Sequence, residues 1–194
     1  MIYYLIASIL IAVTALFART KRAVLAAGIL FYAVQIAAAG LLLWGGLYDT
    51  TSAAFFTFDA LGTLFYLLLV VVSMYVFGHS EAYLQGEDLR SYRLYFALLM
   101  LLTTAITGVY FARNIAVTWI FLEATTLCSA GIIYHRRTAQ ALEAAWKYVF
   151  VCSTGIAMAY LGILLLAAAT KCETLSYEAV AEAASSGNPL YLKT

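Results

Sequence analysis

The chain has 194 residues, of which 65% are hydrophobic and 11% charged, and its formal net charge is +1. A soluble domain has about 45–50% apolar and about 25% charged residues, so a soluble globular domain and a disordered chain are both excluded. The single proline and the aperiodic glycines exclude a fibrous protein, and the basic residues form no patch that would hold nucleic acid.

Six stretches are apolar enough to predict transmembrane helices, which need about 20 mostly apolar residues each. In chain order they cover residues 2–17, 23–47, 59–78, 94–112, 115–134 and 145–169. The alternating ten-residue segments of a membrane barrel are missing, and backbone groups in lipid must bond within their own segment. The sequence therefore predicts an all-α integral membrane protein, with a six-helix bundle over residues 1–170.

The first stretch resembles a signal peptide in length, but residues 1–18 contain no Lys or Arg. We therefore expect an uncleaved first helix. The links after the first, third and fifth helices, with the start of the sixth, hold eight basic residues: Arg19, Lys21, Arg22, Arg90, Arg93, Arg136, Arg137 and Lys147. Only Arg113, Lys171 and Lys193 lie on the opposite side. The positive-inside rule then predicts an outward amino terminus, with these basic links facing the cytoplasm. We expect a multi-pass protein of the inner membrane.

Residues 171–194 are predicted to form an outward-facing tail. Ser176 is a candidate cap for a short helix, and Gly187, Asn188 and Pro189 would stop it. The apolar residues that follow predict the start of a further segment. We therefore expect the chain to be one piece of a longer or split membrane protein.

Glu123 is the most informative residue, because it lies near the middle of the fifth predicted helix. The nearest basic residues along the chain, Arg113 and Arg136, are roughly 15–20 Å away along the helix axis. Its partner must therefore come from another helix or from water, unless it is protonated. Intramembrane carboxyl groups tend to mark ion paths, so we interpret Glu123 as a proton-relay carboxyl. The alternative is a structural carboxylate bonded between helices.

Lys147 lies more than two turns into a helix that Thr138 could cap. A buried lysine can release a proton and act as a relay. Two structural explanations compete with this: the side chain could extend to the membrane interface, or it could pair with Glu143 one turn earlier. Sequence position alone does not decide between a relay and a structural role.

Four further residues are candidates for a polar path through the bundle. Asp59 opens the third helix, where an acidic residue is more often a cap favoured by the helix dipole. Thr126 shares a helix face with Glu123. His79 and His135 are predicted at the cytoplasmic ends of the third and fifth helices, where they could pass protons.

Motifs for independent catalysis are missing. The three cysteines show no metal or disulfide spacing, and no metalloprotease, hydrolase or phosphate-binding motif occurs. Ser129 and Glu123 lie about 240° apart around the same helix, so an intramembrane nucleophile–base pair ranks last. Ser153, Gly155 and Gly162 on the sixth helix are interpreted as close-packing positions.

Three stretches, at residues 58–65, 119–127 and 142–148, resemble the third, fifth and sixth helices of a known family. This family comprises the antiporter-like subunits of respiratory complex I and of membrane-bound hydrogenases, and the F-type membrane component of hydrogenase 4 is the nearest in character. The resemblance extends over nearly the whole chain. The family's broken seventh helix, with its central lysine, has no counterpart here.

The resemblance implies redox-coupled translocation of protons or sodium ions, with Glu123 as the fifth-helix proton carrier and Lys147 as the sixth-helix lysine. It also implies further membrane subunits and a peripheral redox arm as partners. Iron–sulfur clusters and a NiFe centre or flavin would lie in those partners. The resemblance implies no cofactor in this chain. Two alternatives stay open: a component of an Mrp-type cation/proton antiporter, and a membrane scaffold that transports nothing.

Overall fold

The structure is a computed structural model and describes residues 2–44, 55–170 and 175–186. Its helices are α1 (Ile2–Phe17), α2 (Lys21–Leu43), α3 (Ala60–Tyr83), α4 (Leu89–Phe111), α5 (Ile115–Ile133), α6 (Ala139–Thr170) and α7 (Tyr177–Ser186), with a short 3₁₀ helix at Tyr134–Arg136. The described residues contain two isolated β-bridges but no strand. The predicted all-α architecture is confirmed.

Five of these helices, α2 to α6, are long and apolar enough to cross a membrane. The sixth predicted span, α1, has 16 residues, which is about 24 Å of helix and shorter than a typical hydrocarbon core. It packs against α2 and α4 and so belongs to the same bundle.

Most helices begin or end beyond their predicted bounds, because hydropathy follows the apolar core while helical hydrogen bonds continue into polar residues. Thr20 caps α2 by accepting from the Ala23 amide at 3.2 Å, and Thr138 accepts from the Ala141 amide at 3.1 Å as predicted. α3 continues one turn past Gly78, and α4 begins five residues before its predicted start.

In the tail, Ser176 Oγ accepts from the Ala179 amide at 3.2 Å, and α7 follows it. Other predicted features lie outside the described residues: the end of the second stretch at 45–47, the turn at 187–189, the apolar residues after it, Lys171, Cys172 and Lys193.

The links between helices gather at two ends of the bundle. At the basic end, Lys21 Nζ donates to the Glu87 carbonyl at 2.7 Å, and Arg93 donates to the Ala18 carbonyl at 3.1 Å. Arg136 joins them through an ion pair with Glu87 at 3.1 Å. The three links that were predicted to share one side of the membrane therefore meet.

The opposite end, which we call the tail end, is held by backbone hydrogen bonds. The Arg113 amide donates to the Phe55 carbonyl at 2.8 Å, and the Ile115 amide donates to the Leu175 carbonyl at 2.9 Å. An ion pair between Arg113 and Glu178 fastens α7 to the same place. The residues that precede α3, the α4–α5 turn and the tail thus lie together.

α4 is the central helix, since it contacts α1, α2, α3 and α5. Helix association in lipid depends on close packing, which small residues permit. A Cβ on Gly131 of α5 would lie 2.6 Å from a methyl carbon of Leu98, and one on Gly108 of α4 would overlap the Phe121 ring. These two glycines, one on each helix, let α4 and α5 approach closely.

A buried polar cluster joins α1, α2 and α3. Gln35 is fully buried, and its side-chain oxygen accepts hydrogen bonds from the hydroxyl groups of Tyr66, at 2.7 Å, and Tyr4. Hydrogen bonds across helices in lipid average about 0.6 kcal/mol. The cluster therefore fixes the rotation of these helices more than it adds stability.

Candidate functional site

Glu123 lies on α5 at the contact between α5 and α6. It is the ninth of the 19 residues of α5, and its side chain is half-buried. The structure therefore places Glu123 in the middle of α5. α6 packs on this side of α5, whereas α4 covers the other side.

The carboxyl group of Glu123 meets Ser153 of α6, whose hydroxyl donates to Glu123 Oε1 over a long 3.4 Å. The sequence predicts a partner for Glu123 from another helix or from water, and Ser153 is such a partner. Its hydrogen bond to Glu123 was not predicted, because the sequence indicated a close-packing position. Its 30-residue separation from Glu123 gives no local signal, because only the rotation of α6 against α5 brings the two together.

Trp119 holds the two helices in this register, one turn before Glu123. Its indole nitrogen donates to the Ile156 carbonyl at 3.0 Å, and its ring lies against Tyr160 with centroids 4.5 Å apart. These contacts lie just beyond Ser153 along α6. They therefore fix the height at which the hydroxyl of Ser153 faces the carboxyl of Glu123.

Lys147 is placed apart from Glu123. Its ammonium donates to Glu143 at 2.6 Å, and both side chains are largely exposed. Lys147 precedes Ser153 by six residues, which is about 9 Å along α6 and about 120° around it. The ion pair with Glu143, which was the structural alternative to a relay role, is thus present. No described contact joins Lys147 to Glu123.

Asp59 and Thr126 both make local hydrogen bonds. Asp59 caps α3, since its carboxylate accepts from the Gly62 amide at 3.1 Å, which is the structural explanation that the sequence favoured. The Thr126 hydroxyl donates to the backbone carbonyl of Glu123 at 2.8 Å. Thr126 therefore lies beside Glu123 but bonds to its backbone rather than its carboxyl group.

His79 and His135 line one pocket of about 470 Å³ at the basic end. His135 is only 6% exposed, whereas His79 is exposed at the pocket edge. His79 lies about one turn before the end of α3, because that helix runs to Tyr83. The structure thus brings the two histidines together, a proximity that their distance along the chain did not indicate.

The small residues of α6 do not pack as predicted. A Cβ on Gly155 or Gly162 would meet no described atom within 4 Å, and both residues lie on an open part of the helix. α6 contacts α5, the 3₁₀ helix and α7. The prediction of close packing at these two glycines is wrong for the described part of the chain, where no helix covers the face of α6 that carries them.

Among the described residues, no three His, Cys, Asp or Glu side chains come together as a metal-binding group. Cys128 and Cys152 are half-buried free thiols on α5 and α6. The side-chain contact that the structure describes at the carboxyl group of Glu123 is the hydrogen bond from Ser153.

If ions move through Glu123 in an assembled complex, replacing Ser153 by Ala is expected to lower ion flux per complex about two- to fivefold, because the carboxyl loses a long hydrogen bond that contributes about 0.5–1 kcal/mol. Flux is measured in proteoliposomes and normalised to assembled complex. Ser129→Ala is the matched control, since Ser129 Oγ donates to the Thr125 carbonyl of its own helix at 2.8 Å. Equal effects of the two substitutions would contradict a specific role for Ser153.

The fold and the apolar spans define a multi-pass α-helical membrane protein. No family model matches the chain. The Hydrogenase-4 component F homolog of Methylacidiphilum infernorum (isolate V4) is 31% identical over 122 residues, and the match covers 58% of this chain and 25% of the relative. The chain thus spans about a quarter of that relative's length. The similarity confirms the resemblance to antiporter-like subunits of the hydrogenase 4 component F type, amino-terminal portion.

Proposed function

We propose that the chain is an ion-translocating membrane subunit of a hydrogenase-like or complex I-like assembly, with Glu123 as the group that takes up and releases protons. The observation that carries the proposal is a half-buried carboxyl group at mid-helix, at the contact of two apolar helices, with one hydroxyl as its described side-chain partner. A charged residue at the membrane centre costs about 2.5–3.5 kcal/mol on insertion scales. A single long hydrogen bond offsets only part of that cost, which favours a functional reason for the residue.

The arrangement around Glu123 suits proton exchange. Ser153 can donate to the carboxylate and can equally accept from the protonated acid, because a hydroxyl group has both capacities. Trp119 and Tyr160 hold the helices in place without supplying a charge. Among the described residues, no ion pair with this carboxyl group stabilises one of its protonation states over the other.

The membership of a larger assembly rests on the name of the relative, a hydrogenase-4 component homolog. We propose that partner subunits supply the redox chemistry, through iron–sulfur clusters and a NiFe centre or flavin, and that the assembly lies in a prokaryotic inner membrane. α6 supports an assembly, since none of its most apolar stretch is buried within the chain. The Mrp-type antiporter stays the alternative, with cation-transporter subunits as partners.

Mass spectrometry of the chain purified with its complex from native membranes tests the assembly. Hydrogenase-like or complex I-like partners are expected, and cation-transporter partners would favour the alternative. Ion flux through the complex with and without the carboxyl group of Glu123 tests the translocating role. Repeating that measurement in sodium-free buffer separates protons from sodium ions.

Lys147 is proposed to relay protons beyond Glu123, through the assembly rather than within the described bundle. Lys147→Arg is then expected to lower flux about tenfold, because an arginine keeps the charge and the pair with Glu143 but cannot release a proton. Flux per assembled complex is the measurement. Unchanged flux in Lys147→Arg would leave Lys147 as a paired interfacial lysine.

A further inference from the structure

His135 is a buried side chain whose hydrogen bonding is incomplete. Its Nδ1 lies 2.7 Å from the Ile132 carbonyl oxygen, while its buried Nε2 meets no hydrogen-bonding partner in the described part of the chain. A carbonyl oxygen can only accept, so Nδ1 must carry a proton. In the neutral ring, Nε2 is then an unprotonated lone pair held in a fixed direction.

The surroundings of Nε2 determine what can bind to it. The rings of Tyr83 and Tyr95 lie 6.1 and 5.2 Å from the imidazole centroid and cover most of it. Among the described residues, no three His, Cys, Asp or Glu side chains come together to hold a metal ion, whereas one nitrogen lone pair is enough to bind a proton. A lone pair also repels anions. The species that suits this site is therefore a proton.

The same two rings would stabilise the protonated form, since aromatic rings attract a cation within about 6 Å of their centroids. Arg136, the next residue along the chain, carries a permanent positive charge, lies over the Tyr83 ring and is paired with Glu87 at 3.1 Å. That pairing reduces the repulsion an imidazolium would meet. The titratable groups that line the pocket with His135 are Tyr75, His79, Tyr83 and Tyr95, and the charged groups next to this lining are Arg136, Arg137 and Glu87. Glu143 and Lys147, on the helix α6 that contacts the 3₁₀ helix, pair with each other.

The pocket connects this site to the end of the bundle. Its volume of about 470 Å³ has room for several water molecules, and its walls carry the hydroxyl groups of Ser80 and Tyr95, which lie 3.2 Å apart. The exposed His79, stacked on Tyr75, stands at its edge. Histidine is the side chain that ordinarily changes charge near neutral pH, and within the described ranges His135 is the buried one.

We propose that this pocket is a proton-loading site on the side of the membrane from which the chain takes up protons, with His135 Nε2 as the acceptor. A hydronium ion in the pocket gives its proton to Nε2, so that one O–H bond breaks, one N–H bond forms, and water and an imidazolium ion result. Nδ1–H keeps its bond to the Ile132 carbonyl, so the proton leaves again from Nε2. This inference rests on the proposed function.

The first test follows the ring itself. The full chain, labelled with ¹⁵N-histidine, is placed in lipid nanodiscs and examined by NMR between about pH 5 and 8.5, the range around the ordinary histidine titration. Since the chain contains two histidines, His79→Gln leaves one set of imidazole signals for His135. We expect a neutral ring with its proton on Nδ1 at high pH, and full protonation as the pH falls. A ring that stays neutral at the lowest pH, or that carries its proton on Nε2, would overturn the proposal.

The second test follows flux in the assembled complex. His135→Asn places an amide nitrogen where Nδ1 lies and so preserves the bond to Ile132, but it removes the Nε2 lone pair. Flux is expected to fall at least about tenfold, as for the loss of a positioned proton-transfer group, and to depend less on pH. Flux in the His79→Gln variant is expected to fall less, because bulk water can transfer protons in place of an exposed side chain.

Comparison with Glu123→Gln separates the two ideas. If Glu123→Gln abolishes flux while His135→Asn leaves it unchanged, the loading site is refuted and the proposed function stands. If neither substitution lowers flux, both are refuted. Assembly yield and size-exclusion profile are measured for each variant. Should His135→Asn not assemble, His135→Gln is used in its place.

Discussion

Glu123→Gln is expected to lower ion flux through the assembled complex about 100-fold, the usual cost of removing a positioned proton-transfer group. The glutamine side chain has the same shape and keeps an oxygen that can accept the Ser153 hydroxyl hydrogen bond. It differs in having no proton to exchange. Assembly is therefore expected to be unaffected, and the measurement is proton or sodium uptake in proteoliposomes, normalised to the amount of complex.

Glu178→Gln is the control for this substitution. It removes a carboxylate that pairs with Arg113 at the tail end, where the side chain is 72% exposed, and flux is expected to stay within about twofold because exposed ion pairs contribute little. A Glu123→Gln complex that assembles poorly but transports normally per complex would identify a scaffold. Normal assembly with undiminished flux would remove Glu123 from the ion path.

Gly108→Ala is expected to lower the free energy of unfolding by about 1–3 kcal/mol, the typical cost of overpacking a close contact. The new Cβ would lie 2.7 Å from Cγ of Phe121, which is part of the ring nearest the backbone and cannot swing aside. The ring is also held by Phe56, with centroids 6.0 Å apart. Unfolding in mixed micelles of SDS and a non-ionic detergent, followed by tryptophan fluorescence, measures the effect.

Gly155→Ala is the matched control, since a Cβ there meets no described atom within 4 Å. Alanine favours a helix over glycine by roughly 0.5–1 kcal/mol, so this variant is expected to be equally or more stable. Phe121→Leu combined with Gly108→Ala should recover part of the loss, because the residues are in contact and their effects are not additive. If both glycine substitutions destabilised the protein equally, α4 and α5 would lie farther apart than the structure shows.

The predictions for Glu123 and Gly108 both involve α5. Phe121, which limits substitution at Gly108, and Glu123 lie two residues apart on α5. Side chains two apart on a helix point in very different directions. One therefore packs on α4, and the other meets Ser153 of α6. A substitution that loosens the α4–α5 contact would thus also disturb the height of the carboxyl group.

The class of protein and the positions of its unusual residues could both be predicted from local features of the chain. Hydropathy is a local property, so runs of apolar residues predicted the helices, and a carboxyl group in the middle of such a run was visible without any contact. The caps at Thr138 and Ser176 were predictable for the same reason, because a cap bonds to an amide three residues away.

Which side chains meet became visible only in the tertiary structure. Ser153, predicted as a packing residue, bonds to Glu123, and the two histidines share a pocket. These outcomes depend on how far each helix is rotated and how closely it approaches its neighbour. Packing of glycines and aromatic rings across helices sets those quantities, and one chain read residue by residue does not encode them in any local pattern.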